Sequence, residues 1–269
     1  MIEVLKQQFN TTMPPGERLN RTREFLQIMA LKNLSDQNAF ENIAFTGGTA
    51  LRMLHDIRRF SEDLDFSLVA AKSYNFKKLT AGLVRHFKLN NLEVDCKPKT
   101  EKTVHSAFLK FPGILKELGL GAFAEQKLSI KLEVDSNPPK GGRLTETTLN
   151  RTYIFSVRHF DLPSMFATKL HACFFRKYTK GRDFYDLVWY LGRKVSPNLD
   201  LLNNAIQQTE KKAPGITTAN LKDFLLARLE RVDFKAAVAD VRRFILDENE
   251  LRVINKDSLG SLVSGMDWK

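Results

Sequence analysis

The stretch AFTGGTALRMLHDIRRFSEDLDFSL, Ala44–Leu68, decides how the chain is read. Its start is a short apolar run that ends in two adjacent glycines and a threonine. TALRMLHDI behind it puts Leu51, Leu54 and Ile57 on one helical face. A strand turning through glycine into a helix presents backbone N–H groups at the helix N-terminus, which suits an anion. Gly47 and Gly48 let a phosphate approach the backbone, and Thr49 can cap the helix or bond a phosphate oxygen. Taken singly, this is equally the pattern of a tight turn with an N-cap threonine.

DLDFSL then alternates strictly, with Leu64, Phe66 and Leu68 on one side and Asp63, Asp65 and Ser67 on the other. Strand rise sets the two aspartates about 6.5–7 Å apart on one face, where they can converge on a hard divalent cation. The plain alternative is a half-exposed strand whose acids pair with Arg58 or Arg59. A third acid, Glu133, lies between Leu132 and Val134 in LSIKLEVD, a second β-type run. It must be paired, metal-bound or solvated. Lys131 and Asp135 share its face, so a simple Lys131–Glu133 pair is one reading, and Asp135 is the other candidate for the third carboxylate.

Working outward, ERLNRTREFLQIMALKNLS and NFKKLTAGLVRHFKLNNL carry helical spacing, while LEVDCKP, TVHSAFLKF and QKLSIKLEVDSNPP read as strands. NPPKGGR, Asn137–Arg143, closes this α/β region in a loop. From Leu162 onward helical patterns dominate: PSMFATKLHACFFRKY, GRDFYDLVWYLGRKV, LDLLNNAIQQTEKK, TTANLKDFLLARLERVD and FKAAVADVRRFILDE. The expected fold is α+β, a mixed sheet with flanking helices over residues 1–158 followed by a helical bundle over residues 159–269.

The 269 residues are 43% hydrophobic, the composition of an ordinary globular protein. No apolar run approaches the roughly 20 residues that span a bilayer, and the first residues carry no secretory pattern. Cys96 and Cys173 stand far apart without metal-ligand spacing, so a reducing cytoplasm is expected and structural zinc is not. The formal charge of +11 favours a polyanionic partner, most simply nucleic acid.

The order apolar-Gly-Gly-Thr, helix, Asp-apolar-Asp, then apolar-Glu-apolar on a later strand resembles the signature of the DNA polymerase β-like nucleotidyltransferase superfamily. The resemblance implies that the glycine turn holds a nucleoside triphosphate and that Asp63 and Asp65 bind Mg²⁺ or Mn²⁺. Glu133 then completes the metal set and positions or deprotonates the attacking hydroxyl. GGTALRMLH…RRFSEDLDFSL is more specifically similar to the AbiEii/AbiGii toxin family, which includes the MenT toxins. That likeness places Arg59 and Ser61 among the nucleotide contacts. It extends to ATKLHACFFRKYTKGRDFYDLVWYL through Lys169, Arg182, Asp183 and Asp186. Lys169 would add a point charge to the phosphates, and Asp183 would orient it or meet the nucleotide. Asp183 and Asp186 lie near one helix face, so either can serve. Asp183 is favoured because it follows Arg182, and Asp186 is expected to pair locally. Arg176, Lys177, Lys180 and Arg182 can track an RNA backbone, unless they are only a solvated helix end.

The expected function is therefore Mg²⁺-dependent transfer of a nucleoside monophosphate to an RNA, with a tRNA 3′ end as the acceptor. The family likeness makes the chain the toxin of a toxin–antitoxin or phage-defence system, with a cognate antitoxin as partner. Two other classes fit less well: a nucleotidyltransferase acting on a small molecule such as an antibiotic, and a non-catalytic nucleic-acid-binding module.

Overall fold

The computed structural model describes residues 1–7, 9, 12–121, 126–176, 178–211 and 215–268. The fold is α+β, with a seven-stranded mixed sheet and its flanking helices followed by C-terminal helices, as the sequence predicts. The chain forms two compact units. One comprises Met1–Asp56, Phe60–Asn137 and Glu146–His159; the other comprises Ile57–Arg59, Pro138–Thr145 and Phe160–Lys269.

The first unit holds α1 (Ile2–Gln7), α2 (Pro15–Asp36), α3 (Gly47–His55), α4 (Phe76–Leu89) and α5 (Ile114–Glu117). Its strands are β1 (Ile43–Thr46), β2 (Asp63–Leu68), β3 (Asp95–Cys96), β4 (Val104–Pro112) and β5 (Lys127–Asp135), with most of β6 (Leu144–Asn150) and β7 (Ile154–Phe160). The strand order is β3-β4-β5-β2-β1-β7-β6. β2 runs antiparallel to β1 and parallel to β5, and β4 lies antiparallel to β5.

Alternation gives this sheet an apolar face and a polar face. Leu64, Phe66, Leu109, Phe111, Ile130, Leu132 and Val134 are all buried. Helix α2 packs against β5 and α4, and Phe87 of α4 meets Phe111 edge-to-face with ring centroids 4.9 Å apart. On the other face Asp63, Asp65, Lys131, Glu133 and Asp135 are all half-buried. The register fixes them in rows: Thr46 beside Asp65 beside Glu133, and Asp63 beside Lys131.

Three sequence readings differ from the structure. LEVDCKP contributes only the two-residue β3. FKAAVADVRRFILDE is helical only through Val241 before a 3₁₀ turn. The β6–β7 hairpin lies beyond the loop at which the strand signal stops. β6 is exposed at every residue except Leu149, so it lacks the apolar alternation that marks a half-buried strand.

The second unit holds α6 (Leu162–Phe175), α7 (Gly181–Gly192), α8 (Leu199–Glu210), α9 (Thr218–Leu229), α10 (Phe234–Val241) and α11 (Lys256–Ser264). Asp161 caps α6 by accepting from the Ser164 N–H, and Pro163 presets its first turn. Helix α7 starts without a side-chain cap of its own, and Asp240 of α10 accepts from the Gly181 N–H at 2.8 Å instead. That approach is so close that a Cβ on Gly181 would lie 1.8 Å from the Ala237 carbonyl oxygen.

Gly181→Ala is therefore expected to destabilise the protein by about 1–3 kcal/mol, the usual cost of overpacking, or more if α7 and α10 separate. A fall in the thermal unfolding midpoint checks this. An unchanged midpoint would show that the two helices are not in van der Waals contact.

Candidate active site

β1 delivers the chain to Gly47, whose φ of +76° is in the left-handed region that favours glycine. Helix α3 begins at that residue. A Cβ on Gly47 would stand 2.4 Å from Asp65 Oδ2, so the Asp65 carboxylate takes up the space that any side chain at position 47 would need. Thr49 is fully buried and donates its hydroxyl to the Asp63 carbonyl, which ties the first turn of α3 to β2. The glycine turn and the acid strand are thus one construction. Thr46 Oγ1 lies in the same row as Asp65 and is shielded from solvent without a hydrogen-bond partner within the described structure. In the sequence its mark is a hydroxyl at the last strand position before the glycines.

Glu133 accepts an ion pair from Lys131 at 2.8 Å, the plainer of the two readings open from sequence. Burial works to lower the Lys131 ammonium's pKa. The hydrogen bond and charge of Glu133, with the charges of Asp63 and Asp65, outweigh it and hold the group above the ordinary lysine value. One cation therefore already sits in the field of all three carboxylates. Asp135 accepts from the Asn137 N–H at 3.0 Å and stands in register with Ser67 rather than with Asp65. Among the described residues, no three His, Cys, Asp or Glu side chains are gathered closely enough to hold a metal ion as they stand. The donors are nevertheless all carboxylates on one face, the oxygen chemistry that a hard divalent cation takes, and they already accommodate positive charge. They fit such an ion provided Glu133 exchanges Lys131 for it. The Ser61 carbonyl accepts from Gln27 Nε2 at 3.2 Å.

The arginines expected beside the strand acids are engaged elsewhere. Arg58 pairs with Glu250 at 3.0 Å. Arg59, expected among the nucleotide contacts, is 1% exposed and forks onto Asp186, Nε to Oδ1 at 2.5 Å and Nη2 to Oδ2 at 2.6 Å. Asp186 therefore does not pair locally: its partners are Arg59 and Lys169, both outside α7. The sequence showed its charge but not that it is fully buried. All of these residues belong to the second unit.

Lys169 Nζ lies 2.7 Å from Asp183 Oδ1 and 2.8 Å from Asp186 Oδ2. Burial opposes its charge, but the two carboxylates prevail and raise its pKa. Asp183 also accepts from Arg176 Nη1 at 2.8 Å. Burial would raise the Asp183 pKa, and the charges of Lys169 and Arg176 hold it below the usual carboxylate range instead. Arg176 and Lys180 each stand 5.7 Å from the ring of Tyr178, which is 61% exposed, and Arg182 lies over Phe244 at 4.3 Å. Lys177 lies outside the described residues.

Residues 29–256 match the family described as nucleotidyl transferase AbiEii toxin, Type IV TA system. The sequence matches no curated protein. Among solved structures, the chain is similar to JHP933 from Helicobacter pylori, with a TM-score of 0.58 at 20% identity over 91% of this chain and 90% of that one. A second H. pylori protein, described as a nucleotidyltransferase, gives 0.54 at 21% identity over 90% and 92%. At these identities the likeness is one of fold.

Asp186→Ala would leave the Arg59 guanidinium buried without its fork and should destabilise the protein by about 3–5 kcal/mol. Asp183→Ala should cost less, because the Arg176 side chain is 31% exposed and can return to water. Denaturant unfolding of both variants orders them. The contribution of Asp183 has a definite pH sense. A carboxyl held below its ordinary value stabilises the fold at neutral pH, and that part is lost as pH falls through the folded-state value, below about 4. Wild-type stability should therefore decline in that window more than that of Asp183→Asn.

Proposed function

The chain belongs to the AbiEii nucleotidyl transferase toxin family, and from that premise we propose that it transfers a nucleoside monophosphate from a triphosphate to the 3′ end of an RNA, most fittingly a tRNA. In this reading residues 1–158 carry the transfer and residues 159–269 form the helical part, and the enzyme acts in the cytoplasm as a toxin restrained by a cognate antitoxin. The observation that carries it is the row Thr46–Asp65–Glu133 across β1, β2 and β5, with the Asp65 carboxylate packed against the Gly47 turn.

Asp63, Asp65 and Glu133 would hold Mg²⁺ or Mn²⁺. Such an ion supplies positive charge to the acceptor oxygen and to the departing pyrophosphate. The N–H groups at Gly47, Gly48 and the start of α3 receive the triphosphate oxygens, and the helix dipole adds to that attraction. Thr49, through the Asp63 carbonyl, keeps this turn in place against the acids. The acceptor hydroxyl oxygen forms a bond to the α-phosphorus as the bond to pyrophosphate breaks. Its proton goes to Glu133 or to water. Thr46 Oγ1, shielded and without a hydrogen-bond partner among the described residues, stands in the same row as Asp65. Asp135 is a weaker candidate for the third acid, since it serves the turn at Asn137.

In the helical unit Lys169 is read as a point charge for the nucleotide phosphates and Asp183 as the group that orients it, which their 2.7 Å contact supports. The basic and aromatic surface at Arg176, Tyr178, Lys180 and Arg182 suits an RNA backbone, and the net charge of +11 agrees. A small-molecule acceptor would have no use for that charge.

The test incubates the purified protein with total RNA and each labelled triphosphate, with Mg²⁺ or with EDTA. Label should enter RNA only with the metal. Asp65→Ala should lower transfer at least ~100-fold, since metal charge stabilisation is worth several kcal/mol. Glu133→Gln should be far more damaging than Asp135→Asn. Induced alone, the wild-type chain should slow bacterial growth and Asp65→Ala should not. Full transfer by Asp65→Ala, or transfer in EDTA, would overturn the reading.

A further inference from the structure

The polar sheet face carries one residue that neither its fold nor the acid row explains. Phe108 lies in the middle of β4 between Ala107 and Leu109, which are 1% and 0% exposed, yet Phe108 itself is 46% exposed. Its register partner is Lys131, whose partner in turn is Asp63, so ring, ammonium and carboxylate form a row across β4, β5 and β2. Lys131 and Lys110 Nζ stand 5.9 and 6.0 Å from the ring centroid, within cation–π reach. The ring opens onto a cleft of about 370 Å³ lined by Arg23, Glu62, Asp63, Lys127 and Lys131 among others. All these residues belong to the first unit.

We propose that Phe108 is the platform on which the terminal base of the acceptor RNA stacks, with Lys110, Lys127 and Lys131 receiving its backbone phosphates. This rests on the transfer reading above, and the direction of displacement supports it. Attacking and leaving oxygens lie roughly in line through the α-phosphorus. The pyrophosphate leaves toward the Gly47 turn, on the β1 side of the acids. The acceptor must then arrive from the other side, past Glu133 on β5, and Phe108 on β4 is the next strand along. An aromatic face ringed by lysines is also the combination that single-stranded nucleic acid uses, since every base has a π-face and every nucleotide a phosphate. The triphosphate's own base is the rival occupant.

Two measurements decide it. In Phe108→Trp the new indole reports stacking directly. A short single-stranded RNA with a free 3′ hydroxyl should quench its fluorescence relative to wild type, and each nucleoside triphosphate with Mg²⁺ should not. In steady-state transfer, Phe108→Ala should raise the KM for RNA by roughly 5- to 150-fold, the range one base–aromatic stack carries. The KM for triphosphate should stay within about twofold, and Phe108→Tyr should recover the RNA value. Because the ring is half-exposed, unfolding midpoints should barely move, which separates lost binding from lost fold. An unchanged KM for RNA, or quenching by triphosphate with a matching rise in its KM, overturns the proposal. If the wild-type chain transfers nothing while RNA still quenches Phe108→Trp, the transfer reading fails and the platform stands.

Discussion

Asp65 and Gly47 occupy one another's space. The carboxylate lies where the side chain of residue 47 would be, and the positive φ at that residue lets β1 turn into α3 at that point. Everything on the polar face follows from this approach. It brings the N-terminus of α3 beside the acids, it lets Thr49 reach the Asp63 carbonyl, and it sets the row that continues through Glu133. Neither half can shift alone. A moved strand would lose its support from Thr49, and a bulkier turn would expel the carboxylate. Such mutual dependence explains how a short segment can present a geometry defined to fractions of an ångström.

The helical unit solves a different problem, that of keeping charge out of water. Arg59, Lys169 and Arg176 face Asp183 and Asp186, and four of these five side chains are nearly or fully buried. Taking ions from water is costly and the attraction returns most of that cost only when geometry is good, so such a cluster adds little net stability although removing one partner is expensive. The bidentate fork of Arg59 on Asp186 provides that geometry, because a planar guanidinium matches a carboxylate edge in one orientation only. A lysine at position 59 could not reproduce it.

Much of this was legible in the sequence where periodicity and chemistry agreed. DLDFSL is a strand from its first to its last residue because strict alternation leaves no other economical burial. The glycine turn, α2 and α4 were equally plain. What the letters withheld was environment. RRF shows two arginines but not that one is fully buried, and HSAFLKF shows a phenylalanine in an apolar run but not that it faces out. Lys131 and Glu133 share a strand face at a spacing of two, so their pairing was foreseeable; the reach of Asp63 and Asp65 to the same ammonium required the register. The β6–β7 hairpin was hidden because its outer strand is exposed at every residue but Leu149 and so lacks apolar alternation.

That outer strand has a consequence for how the sheet ends. Apart from Leu149, β6 has little hydrophobic information to fix its pairing. Here side chains supply the alignment: Thr147 meets His159 Nε2 at 2.8 Å, and Thr148 meets Ser156 at 3.5 Å. At the opposite end β3 has only two residues, too few to template another chain. The sheet is thus closed at one side by brevity, while at the other the exposed strand carries Glu146, a charge of the kind that discourages edge pairing. Both are ways for a seven-stranded sheet to avoid growing by recruiting its neighbours.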